Sequence, residues 1–190
     1  MTTDFTRLSL SEMLAETEAI AAEAQQSFGH LDAGQLNWKP GAEAWSVAQC
    51  LEHLLVANRA MLRPIDKALA GTWQRTFFER LPVLPGLFGR LLVKSQTPGS
   101  GRKFKAPPRA SPSASEFDAQ IVSRFVTQQG EIAERLKGLE RHAAARIVMT
   151  SPFISFITYS LLDGCRLIIA HERRHLAQAQ RVMETSGFPR

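Results

Sequence analysis

The chain has 190 residues, 44% of them hydrophobic, and only two cysteines, so it is read as one domain over 1–190 that buries its own core and needs no disulfide staples. Its formal net charge is +5, but the basic groups crowd into one segment instead of covering a face, which argues against nucleic acid as a partner. The N-terminus lacks the apolar stretch of a signal peptide and no run approaches the roughly 18 apolar residues of a membrane span, so the expected location is cytoplasmic.

In chain order, the first periodic segment covers 9–28, where Leu10, Met13, Leu14, Thr17, Ile20, Ala21, Ala24 and Phe28 recur every three or four residues. Gly29 is its expected stop. A loop with Leu36, Asn37, Trp38, Lys39 and Pro40 leads to Ser46 and Gln49, which have capping-box spacing and open a second helix over 46–70. Its apolar stripe is broken only by Asn58.

Residues 71–112 form a long connection that holds six of the ten prolines. Over 71–115 there are eight basic groups and one acid, Glu79. Three readings of its apolar and basic stretch 77–94 stay open: packing across the end of the helices or between subunits, contact with a membrane surface, and a lid that carries cations to an anionic substrate. Membrane contact is the least expected, because Pro82, Pro85 and Gly86 would break an interfacial helix. Arg102, Lys103 and Lys105 are the candidates for binding an anion.

A third helix is expected over 113–139, starting on the capping-box spacing of Ser113 and Glu116, and a fourth over 158–186, ended by Gly187 and Pro189. The β-branched stretch from Arg146 to Thr158 is interrupted by Pro152 and lacks an evident partner, so it is read as loop or helix start. The fold class is therefore all-α: a four-helix bundle with a long, basic, Pro-rich connection between helices two and three.

His171 and His175 stand one turn apart on the fourth helix, so both rings can lean toward one ion. Projection at 100° per residue turns them inward, while Arg166, Arg173, Arg181 and Glu184 fall on the outer face. His53 falls on an inner flank of helix two beside Cys50, Ala57 and Ala60, whereas His30 and His142 lie in turns. Two readings follow for His53, His171 and His175: core histidines satisfied separately, or three ligands of one ion. Gln49 and Gln178 are near-site candidates, and Glu172 projects among apolar neighbours as a buried acid or as a group at a helix crossing. Cys50 is read as packing, not as a nucleophile.

Three stretches, Asn37-Trp38-Lys39-Pro40, Trp45 through Leu54 and His171 through Gln178, resemble the DinB-like superfamily, a damage-inducible helical family unrelated to the DNA polymerase of that name. The resemblance runs along essentially the whole chain. It implies a metal triad of His53, His171 and His175 and a divalent ion, zinc, nickel or iron. It also implies several chemistries, since the family includes thiol S-transferases and proteins classed as metal-dependent hydrolases. The expected function is thus a metal-dependent enzyme whose ion activates a low-molecular-weight thiol or water. The partners expected are a small electrophile, a thiol cosubstrate or both, and, apart from the resemblance, a second copy in a homodimer. The alternative is a non-catalytic, stress-linked binding protein with a structural ion.

Overall fold

The computed structural model describes residues 3–80, 85–99, 111–112, 116–140 and 142–190. Within them the chain is mostly helical: α1 (Leu10–Phe28), α2 (Ala33–Asn37), α3 (Val47–Leu69), α4 (Pro85–Gln96), α5 (Gln120–Leu139) and α6 (Leu161–Glu184), with one hairpin, β1 (Val148–Thr150) and β2 (Thr158–Ser160). Among these residues no helix is long and apolar enough to cross a membrane.

The helix starts are set by local chemistry. Ser9 and Glu12 close a capping box on α1, and Ser46 and Gln49 close another on α3, each pair satisfying two backbone N–H groups that the first turn leaves without partners. Ser46→Ala is expected to cost about 1 kcal/mol in urea unfolding while leaving metal content unchanged. A cap loss of this size together with lost metal would mean that Ser46 also holds the site in place.

Burial of the apolar stripes assembles the long helices: α1 lies against α5 and α6, and α3 against the same two. Their shared core includes Met13, Ile20 and Phe28 from α1, Leu51 and Leu54 from α3, Phe125 and Ile132 from α5, and Ile169 and Leu176 from α6. Arg173 does not face solvent as its projection suggests. It bridges to Glu16 and Glu23 on α1, because that side of α6 meets another helix.

Three local expectations are corrected. The third helix begins at Gln120, because a tertiary contact holds Phe117 out of it, and the expected cap Ser113 lies outside the described residues. The Asn37 side chain accepts from the Phe117 N–H at 2.9 Å and donates to the Phe117 carbonyl at 2.7 Å, so that backbone bonds to the end of α2. The stretch read as loop or helix start forms the β1–β2 hairpin, with Met149 opposite Tyr159. The partner strand is hard to read from sequence because the two halves are three residues each and flank a seven-residue loop, 151–157. There the Ser151 N–H donates to the Ile157 carbonyl at 2.8 Å, and the Glu79 carboxylate accepts from the Thr150 N–H, also at 2.8 Å. The fourth helix accordingly starts at Leu161, where Ser160 caps it.

The long connection contributes α4, which packs on α6 and β2. The approach is close at Gly89, where an added Cβ would stand 2.5 Å from Asp163 Oδ2, so only glycine lets α4 lie this near. At the other end of α4, Arg174 Nη1 donates to the Ser95 carbonyl at 2.9 Å, placing a cation where the last carbonyls of a helix point.

Candidate metal centre

The cap at Ser46 fixes the phase of α3, and that phase turns His53 inward, where it is 3% exposed. On α6, His171 and His175 face it across the α3–α6 contact. One potential ligand atom from each histidine lies within 4.8 Å of those of the others. His53 Nε2 and His171 Nε2 are 3.0 Å apart. Trp45, the residue before the cap, stacks on the His175 ring at 5.6 Å and leans on His53 at 5.0 Å. It walls one side of the cluster, a role that its loop position did not signal.

Burial and the neighbouring rings lower proton affinity here. His171 is held well below the usual imidazole range, first by burial and then by His175 and His53. His175 is pushed down to about 3 by burial, His53 and Arg174, against a small opposing effect of its hydrogen bond with Gln178. Both rings are therefore neutral at physiological pH, each with a lone pair to give. His175 Nδ1 is buried and finds no hydrogen-bond partner. Three converging imidazoles, two of them held neutral and one with an orphaned nitrogen, fit a divalent ion, and the cluster can hold one. Among the described residues no further histidine, cysteine or carboxylate joins the three.

Of the other candidates, Gln178 and Gln49 both line the cavity in front of His175, and the Gln49 carboxamide also receives the Ser46 N–H. Glu172 is fully buried, and its Oε1 accepts from Asn58 and from Gln129, each at 2.7 Å. Burial pushes its carboxyl up to about 7, against those two hydrogen bonds. Asn58 also donates to Gln128, whose amide reaches the Leu55 carbonyl, so a polar network runs beside the cluster through α3, α5 and α6. The break at Asn58 in one apolar stripe, the inward projection of Glu172 and the Gln128-Gln129 pair on another helix are its traces in the sequence. Arg102, Lys103 and Lys105 lie outside the described residues.

Neither thiol is a nucleophile. Cys50 and Cys165 are buried, and burial pushes each up to about 12. Both are expected to resist an aromatic disulfide reagent in the native protein and to react within seconds once urea unfolds it. Fast native labelling at either position would show that the cavity reaches it.

Two cavities open at the histidines. One of about 370 Å3 lies between α3, α4, α6 and the hairpin turn, and one of about 920 Å3 lies between the Lys39–Trp45 loop and the C-terminal half of α6. Both are lined by His53, His171 and Gln96.

In this mostly helical domain three histidines from two helices converge beside open cavities, an arrangement that can hold a metal ion. The chain matches the DinB superfamily over residues 16–179 and belongs to it. Comparisons with curated proteins and with solved structures gave no match.

Proposed function

We propose that this protein is a divalent-metal-dependent enzyme on a four-helix-bundle scaffold, in which His53, His171 and His175 hold a zinc, nickel or iron ion that activates a low-molecular-weight thiol or water. The observation that carries this reading is the three-histidine cluster with no fourth charged or imidazole donor among the described residues, at the junction of two cavities. A structural site closes its coordination with protein groups, whereas a catalytic one keeps a position for water or substrate. An ion held this way lowers the pKa of a bound water or thiol, which makes transfer of a thiol to an electrophile and hydrolysis both accessible.

The chain's own groups divide the remaining work. Trp45 keeps bulk water off one face of the cluster, Gln178 orients the His175 ring, and Gln49 offers its carboxamide to a ligand in the larger cavity. The test is elemental analysis of the purified protein, followed by turnover of 1-chloro-2,4-dinitrobenzene with a panel of thiols and hydrolysis of nitrophenyl esters. One reaction should rise in proportion to bound metal and vanish in His171→Ala. A protein that binds its ion yet accelerates neither reaction is the non-catalytic member with a structural ion.

A further inference from the structure

Opposite chemistry lines the two cavities that meet at the cluster. The smaller is walled by Met61, Phe88, Leu91, Phe153, Ile157 and Leu167 and, among the described residues, has no charged residue in its lining. Phe88 and Leu91 are among the few large apolar side chains that remain exposed, at 37% and 54%, and they stand together on α4 at this cavity. Exposed apolar groups gathered along a concavity mark a binding surface more than scattered ones do.

Among the described residues the larger cavity carries Lys39, Arg174 and Arg181 against a single acid, Glu43. Arg174 is engaged by the end of α4, but among the described residues Lys39 and Arg181 make no salt bridge. The basic groups that face the cluster therefore come from the loop before α3 and from α6 itself.

We infer that the site's substrate is an amphipathic organic anion, with its hydrocarbon part in the apolar cavity, its anionic group toward Lys39 and Arg181, and its reactive centre between them at the histidines. This rests on the metal-centre reading proposed above and adds the class of substrate. At about 30 Å3 for each small group, the apolar cavity of about 370 Å3 has room for about twelve, so an eight-carbon chain fits within it. The charge arrangement selects against a neutral or cationic relative of the same length, because Glu43 alone cannot offset three cations.

Calorimetric titration of the full-length protein with butanoate, octanoate and octan-1-ol tests the inference, each run on metal-loaded and on chelator-treated protein. Octanoate is expected to bind at least tenfold more tightly than butanoate, since each buried methylene contributes a factor of about three to four. It should also exceed octan-1-ol by about fivefold, an advantage lost in the Lys39→Ala, Arg181→Ala double variant. Leu91→Arg should remove the dependence on chain length. All three positions are exposed, so the variants fold, and thermal melts verify that.

Equal affinity for butanoate and octanoate overturns the apolar assignment. Equal affinity for octanoate and octan-1-ol, or a double variant that binds octanoate as wild type does, overturns the cationic one, the second result meaning that the ion alone captures the carboxylate. Failure of the metal reading shows separately, as absent metal in elemental analysis. Selective octanoate binding by chelator-treated protein would then stand without it.

Discussion

Chelation of the metal-loaded protein is expected to lower its melting temperature by about 10 °C, and alanine at His53, His171 or His175 is expected to reduce bound ion from about one per chain to near zero. The size follows from linkage. An ion that binds only the folded state at a thousandfold excess over its dissociation constant adds about 4 kcal/mol, and a domain of this length shifts by about 2–4 °C per kcal/mol. The three ligand atoms come from α3 and α6, so the unfolded chain offers no preformed site and the binding free energy appears as folding free energy.

The same variants should behave differently without metal. His175 Nδ1 is buried and unpaired, so His175→Ala removes a penalty along with the ring's packing, and the chelated variant should lie within about 1 kcal/mol of chelated wild type. Elemental analysis with calorimetry in the presence and absence of chelator reads both quantities. Equal metal content in wild type and all three variants would remove the triad from consideration.

Asn58→Ala is expected to cost about 3 kcal/mol in urea unfolding, more than any single cap. The Asn58 amide donates to Gln128 Oε1 at 2.9 Å and to Glu172 Oε1 at 2.7 Å, and all three side chains are buried. Its loss strands the Gln128 oxygen and leaves Glu172 with Gln129 alone, in a place where water cannot substitute. Glu172→Gln should be far milder, at about 1 kcal/mol or less, because it keeps an accepting oxygen and removes a charge that burial disfavours. A double-mutant cycle between the two should show coupling of about 1 kcal/mol or more. If Asn58→Ala fell within about 0.5 kcal/mol of wild type, the two bonds made by Asn58 would not be holding these helices together.

What was legible in the sequence is what short-range physics sets. The capping box at Ser46 and the 3.6-residue stripes mark α1, α3 and α6 to within a few residues, because a helix start depends on groups three positions apart. The same periodicity puts His53, His171 and His175 on inward faces, since a ring's direction follows from helix phase once the apolar face is known. Where local signals competed with distant partners, the reading failed. Ser113 and Glu116 have cap spacing, yet Phe117 is taken by Asn37, 80 residues away in the chain.

The hairpin and α4 were hidden for a related reason. Strands of three residues carry almost no periodic signal, and their edge is completed by Glu79, far upstream. Docking of α4 depends on the missing side chain of Gly89 above Asp163, a relation between two helices that no window of sequence contains.

By itself, then, the sequence determined the family, the long helices and the inward direction of three imidazoles, because caps, periodicity and residue type act within one or two turns. Tertiary structure alone decided that the three rings stand within 4.8 Å of one another. It also decided that Glu172 is buried with Asn58 and Gln129, and that an apolar and a cationic cavity share the cluster. Those distances depend on how α3, α4 and α6 pack. Packing is settled by volume and burial summed over residues scattered along the whole chain.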